Sequence, residues 1–126
     1  MFVNLHLKAT YILVICCSLT EQTHHVINKD VMTALGKDGI IVNIGQGLII
    51  DESELVKFLV EGDIAGAGLD VFENEPSVPK EWFGLDNVVF TPHRAALTHE
   101  AIFKAFKIVI GNLEAFFLNK PFLYPV

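Results

Sequence analysis

The sequence predicts an α/β fold built on a mostly parallel sheet. Three observations carry that reading. Short apolar, β-branched runs alternate with amphipathic helical stretches along the chain. The runs are continuously apolar rather than alternating, as strands of parallel sheets are when helices cover both faces. Polar and titratable residues cluster where the runs end, which is where open parallel sheets place their ligands.

The first strand is predicted over Tyr11–Cys17, a run of seven apolar residues that includes three β-branched ones. Ser18–His25 is polar and reads as a loop. Asn28 is a suitable N-cap for a short helix to about Leu35, with Gly36 as its stop. Ile40–Ile44 is a second buried strand, broken by Gly45-Gln46-Gly47. Asp51 caps the next helix with Glu54 at capping-box spacing. Leu55, Val56 and Leu59 form its inward stripe, and Gly62 ends it. Ile64–Val71 is a third strand, whose Ala65, Gly66, Ala67 and Gly68 admit close packing against the backbone. Val88–Phe90 is a short fourth strand. Thr98 caps a last helix to about Leu118. Phe103, Phe106, Ile110, Leu113 and Phe117 recur along it at helical spacing, and Ile108, Val109 and Phe116 widen the stripe beyond one face. A helix this apolar calls for more than one partner surface.

Composition narrows the function classes. With 126 residues, 52% hydrophobic and 19% charged, the chain has the core of a folded domain. Its net charge is −6, Arg94 is its only arginine, and the lysines are dispersed, so nucleic acid and anionic membranes lack an electrostatic footprint. The segment before Ser18 has one lysine, Lys8, and too short an apolar run for a signal peptide or a membrane span. Adjacent Cys16 and Cys17 cannot bridge on a strand. They read as buried thiols in a reducing, cytoplasmic compartment. His24 and His25 are adjacent rather than at ligand spacing, so no metal site is predicted.

Two strand ends carry the chemistry. Gly66-Ala67-Gly68-Leu69-Asp70-Val71-Phe72-Glu73-Asn74-Glu75-Pro76 delivers Asp70 and Glu75, and Val88-Val89-Phe90-Thr91-Pro92-His93 delivers His93. If Glu75 reaches His93, the two form an acid/base pair. Asp70 lies in apolar sequence, where an unpartnered carboxylate is costly, so it is expected to be hydrogen-bonded and to have a role.

These blocks, with Asn43-Ile44-Gly45-Gln46-Gly47 and Asp51-Glu52 before them and Gly111-Asn112-Leu113-Glu114-Ala115-Phe116 and Lys120-Pro121 after, resemble the D-isomer-specific 2-hydroxyacid dehydrogenases. Within that family the likeness is to glyoxylate/hydroxypyruvate and hydroxyphenylpyruvate reductases. The resemblance implies a Rossmann-type parallel sheet with flanking helices, incomplete in this chain. Residues 1–10 would be unmatched, 11–118 a partial NAD(P)-binding domain, and 119–126 a tail returning toward an absent substrate domain. It implies reduction of a 2-oxo acid to the D-2-hydroxy acid with NADP or NAD as cofactor, its reduced form donating the hydride, in a homodimeric full-length enzyme. His93 would be the acid/base, and Glu75 would orient it and raise its pKa. Asp70 would hold the nicotinamide carboxamide, with His93 also beside the cofactor. Cys17, Ser18 and Leu19 would line the adenosine side, and Ile44 and Gly45 the nicotinamide half.

Three departures from the family pattern stand out. The G-x-G-x-x-G phosphate fingerprint is absent, so the chain reads as the C-terminal portion of a longer enzyme. Gln46 occupies the position of the family's catalytic arginine, replacing a charged two-pronged grip by a neutral amide. Arg94-Ala95-Ala96 lacks the hydroxyl that usually follows the histidine, and Arg94 adjoins His93 on a different loop from Gln46. The alternative implied by these departures is a non-catalytic fragment or pseudoenzyme serving as a dimerisation or interaction module.

Overall fold

The computed structural model describes residues 12–124. Tyr11, the segment before it and the last two residues of the tail lie outside the described residues. The described chain falls into two compact units that divide between His93 and Arg94.

The first unit is a four-stranded parallel sheet in the order β1-β2-β3-β4, with β1 Ile12–Ile15, β2 Ile40–Asn43, β3 Gly66–Leu69 and β4 Val88–Phe90. α1 (Lys29–Leu35) links β1 to β2, and α2 (Glu52–Glu61) links β2 to β3. A loop with one short 3₁₀ turn, Lys80–Gly84, leads to β4. The predicted caps are present. Asn28 Oδ1 accepts from the main-chain N–H groups of Asp30 and Val31, and Gly36 closes α1 with φ 78°. Asp51 Oδ1 accepts from Glu54 N–H at 3.2 Å and from Ser53 Oγ at 2.8 Å; the Ser53 bond is the leading reason its carboxyl stays below the usual range. The return half of the capping box is replaced. Asp51 N–H donates to Ile27 O, and the Glu54 carboxylate takes Lys57 instead. Gly62 ends α2 in the left-handed region, at φ 70°.

Strand parity decides what is buried. Leu13, Ile15, Ile41, Ala67, Leu69 and Val88 face a core that also holds Met32, Leu55, Phe58, Leu59 and Trp82. Phe58, rather than Val56, completes the inward stripe of α2, and Val56 is only partly buried. On the opposite face the first and last strands are exposed among the described residues, while Val42 and Gly68 between them are partly buried. Ile12 is 56% exposed, Val14 53% and Val89 71%. This corrects the expectation that the first strand is buried on both faces. It also corrects the reading of the cysteines as buried: both are free and exposed. Cys16 continues the open-face parity of Ile12 and Val14, and Cys17 lies in the loop beyond the strand. The close approach expected of the small residues in β3 is real at Gly66, where a Cβ would stand 2.6 Å from Asn87 O; Gly68 has ordinary room.

The second unit holds α3 (His99–Phe117), capped by Thr98 Oγ1 accepting from Ala101 N–H at 3.2 Å. Its predicted apolar stripe is exposed, with Phe103 58%, Phe106 62% and Leu113 54% accessible, and Ala115 is its one buried residue. The tail returns to the helix where Leu123 N–H donates to Asn112 Oδ1 at 2.8 Å. Among the described residues no helix is long and apolar enough to cross a membrane.

Candidate active site

In a parallel sheet all C-terminal strand ends share one edge. The register Asn43↔Leu69↔Phe90 brings the loops after β2, β3 and β4 together there. Asp70 follows β3 directly and is 5% exposed. Its N–H donates to Asn43 O at 3.0 Å, and its Oδ1 accepts from Thr91 Oγ1 in a short hydrogen bond. The expectation of a partnered carboxylate is met.

Glu75 and His93 form the predicted pair. His93 Nδ1 lies 2.9 Å from Glu75 Oε2, while Glu75 Oε1 accepts from Phe72 N–H at 3.1 Å. One carboxylate oxygen therefore holds its own loop and the other holds the histidine. His93 sits at φ 52°, a region a non-glycine residue rarely adopts, and its N–H is secured on Asp70 O and Thr91 O. The hydrogen bond to Glu75, followed by that residue's charge, raises the His93 pKa above its ordinary 6.5. The same bond holds the Glu75 carboxyl below its ordinary 4.5, against an opposing push from partial burial. Glu75 also lines an apolar hollow of about 310 Å³ with Phe72, Pro76, Val78, Phe90 and Pro92.

The stability linked to this pair has a definite window. Protonated His93 contributes fully below 6.5 and loses its contribution as pH rises through its raised folded pKa. Ionised Glu75 contributes fully above 4.5 and loses its contribution as pH falls through its lowered one. With the His93 side chain 55% exposed, solvent screening keeps the stabilisation small.

The loop after β2 is built by Asn43, which is 1% exposed. Its Oδ1 accepts from Gly45 N–H at 3.0 Å and its Nδ2 donates to Gln46 O at 2.9 Å, which ends the strand one residue before the predicted Ile44. Gln46 is exposed with an extended backbone, φ −143° and ψ 143°, and starts a 3₁₀ turn, Gly47–Ile49. Gly47 lies directly against the β3 loop: a Cβ there would sit 2.0 Å from Phe72 C and O. At the end of β1, Cys17, Ser18 and Leu19 are exposed. At the end of β2, Ile44 is half exposed and Gly45 approaches Cys17 O.

A family model described as "D-isomer specific 2-hydroxyacid dehydrogenase, NAD binding domain" matches residues 3–95. The chain belongs to this family. Among curated dehydrogenase relatives, a glyoxylate/hydroxypyruvate reductase of Arabidopsis thaliana is 58% identical over 115 residues, covering 91% of this chain and 36% of the relative. A hydroxyphenylpyruvate reductase of Plectranthus scutellarioides is 54% identical, covering 91% and 37%. Among solved structures, the NADPH-dependent glyoxylate/hydroxypyruvate reductase of Sinorhizobium meliloti, in complex with NADP and malonate, superposes with a TM-score of 0.84 at 40% identity, covering 95% of this chain and 38% of that one. The chain therefore spans little more than a third of the length of the curated relatives it matches. The family's dinucleotide-binding architecture accounts for the parallel sheet and the shared edge.

Of the dehydrogenase site residues expected from sequence, the structure brings Glu75, His93 and Asp70 together through direct bonds and shared main-chain partners. Gln46 stands on the neighbouring loop, coupled to them through Asn43. Three contributors went unseen in the sequence: Asn43, Thr91 and the close approach at Gly47. Asn43 interrupts the apolar run Ile40–Ile44, and a buried amide needs partners, so it carried a readable signal. Nothing local marked Thr91 or Gly47, because their partners lie more than twenty residues away.

Proposed function

We propose that this chain supplies the proton-transfer half of an NAD(P)-dependent reductase that converts glyoxylate, hydroxypyruvate or a related 2-oxo acid to the D-2-hydroxy acid. The observation that carries the reading is the 2.9 Å pairing of His93 Nδ1 with Glu75 Oε2 on the ligand edge of a parallel sheet. With Nδ1–H donated to Glu75, the proton on Nε2 is the one His93 can give to the substrate's carbonyl oxygen. The raised pKa keeps that proton on the ring over more of the neutral range.

The residues present suit a nicotinamide cofactor. Leu19 and Ile44 are apolar and exposed at the ends of β1 and β2, and the buried carboxylate of Asp70 offers acceptors for a carboxamide. When bound, a reduced nicotinamide supplies the hydride. Cys17, Ser18 and Leu19 would lie along the adenosine side of the cofactor, Ile44 and Gly45 along its nicotinamide half, and Gln46 would meet the carboxylate of the acid. Residues 11–118 would then be part of the NAD(P)-binding domain, with 119–126 returning toward a substrate domain. The free thiols of Cys16 and Cys17 suit a reducing, cytoplasmic setting.

The test is a chimera that places this chain behind the upstream part of a full-length relative. Hydroxypyruvate reduction is expected to decline as pH rises through the raised His93 pKa, and Glu75→Gln is expected to move that decline down toward 6.5. A pH profile that Glu75→Gln leaves in place would remove His93 as the proton donor. The isolated chain is expected to show no turnover with either NADH or NADPH.

A second reading is favoured by one observation, the exposed apolar stripe of α3. The chain would act as a non-catalytic module that pairs with a second copy or with a full-length subunit, as a homodimer would. Size-exclusion chromatography of the chain, alone and mixed with a full-length relative, is expected to show an associated species. A single monomeric peak in both runs would count against it.

A further inference from the structure

A second histidine–carboxylate contact lies outside the acid/base pair. His25 Nε2 makes a short hydrogen bond with Glu73 Oε1. The main-chain N–H of the same Glu73 donates to Glu52 Oε2 at 3.0 Å. Glu52 opens α2, and burial raises its pKa, so its carboxyl is held in a partly desolvated position. His25 is itself fixed: its backbone sits at φ 49°, its N–H donates to Leu48 O, and its ring stacks on His24 at 4.1 Å between centroids. Glu73 is thus held by two elements, and the backbone on its N-terminal side lies against Gly47 with no room for a Cβ. Glu73 is two residues from Glu75, in the same turn that returns Phe72 N–H to Glu75 Oε1.

We propose that His25 and Glu52 are positioning residues: they clamp Glu73, and through the Phe72–Glu75 turn set the carboxylate that holds His93. The catalytic significance rests on the reading of His93 as proton donor, but the clamp is testable without turnover. The charges that act on His93 are those of Glu75 and Asp70. Those that face His25 are Glu73, the neighbouring His24 and, more distantly, Asp51. A change at His25 therefore reaches His93 through the placement of Glu75 rather than through its own charge.

The experiment is an NMR titration of the His93 imidazole in the full chain, with thermal unfolding recorded in parallel. His25→Leu is expected to lower the His93 pKa toward 6.5, and His25→Gln, which keeps an N–H donor for Glu73, to restore most of the difference. If His25→Leu does not fold, Glu73→Met, which keeps the side-chain length but removes the acceptor for His25, is read instead, with the same downward shift expected. A His93 pKa equal to that of the unsubstituted chain in the variant read, whatever happens to its melting temperature, would overturn the proposal. A His93 that titrates at 6.5 in the unsubstituted chain would overturn both the clamp and the acid/base pair, and that failure is distinguished by appearing without any substitution.

Discussion

Gln46→Arg, made in a chimera that joins this chain to the upstream part of a full-length relative, is expected to raise kcat/KM for hydroxypyruvate at least tenfold. A guanidinium grips a carboxylate through two parallel charge-assisted hydrogen bonds, whereas the glutamine amide offers one neutral donor. Charge-assisted bonds contribute roughly 1.5–3 kcal/mol and neutral ones about 1 kcal/mol. A difference of about 2–4 kcal/mol in transition-state binding corresponds to roughly 30- to 1000-fold in rate. The backbone is ready for the change. Position 46 is exposed, its φ and ψ are those of an ordinary extended residue, and its carbonyl is already fixed by Asn43 Nδ2. Steady-state kinetics check the outcome. A fall in KM alone would report uniform binding of the acid, and a rise in kcat would report contact made in the transition state. No change in kcat/KM would mean that the carboxylate is recognised elsewhere.

Gly47→Ala is expected to be the most damaging glycine-to-alanine substitution, costing about 3 kcal/mol or more. The new methyl would meet Phe72 C and O at 2.0 Å and Glu73 N at 2.5 Å, all main-chain atoms that cannot rotate aside. The two loops would have to part, and the loop that parts is the one that carries Glu75. Torsional preference is not the cause, since the φ of Gly47 lies outside the left-handed region. Gly84→Ala is the control: a Cβ there meets nothing within 4 Å, and its effect is expected within about 0.5 kcal/mol. Urea denaturation of the two variants measures the contrast. A Gly47→Ala protein within about 1 kcal/mol of the parent would refute the close-approach argument.

What could be read from sequence follows the range of the forces involved. Caps at Asn28, Asp51 and Thr98 act within three residues, so local spacing places them correctly. The apolar runs locate all four strands because each carries its signal in consecutive residues. Their ends are less legible. β3 is limited to Gly66–Leu69, although Ile64 and Val71 are buried, because a side chain can be buried without its backbone joining the ladder. Burial of the first strand is not legible for a different reason. Apolar composition fixes what a surface would prefer to meet, whereas exposure depends on what else is packed there. The acid/base pair was legible because both members end strands in a parallel sheet, and parallel register carries strand ends to one edge. The clamp on Glu73 was not, since it joins His25, Glu52 and Glu73 across gaps that no local pattern spans.

The strand order has a consequence for how the chain is made. Every pairing joins a strand to the one that precedes it, Ile12 with Ile40, Ile40 with Gly66 and Ala67 with Val88. Among the described strands each therefore leaves the ribosome only after the strand it pairs with has emerged. The three closures span similar stretches of chain, so by logarithmic scaling their entropic costs differ by only about 0.3 kcal/mol. Assembly order is then governed by the side chains each strand contributes. Glycine-rich β3 contributes the fewest side-chain contacts, so pairing of β1 with β2 is expected to precede it, an order that φ-value analysis would check.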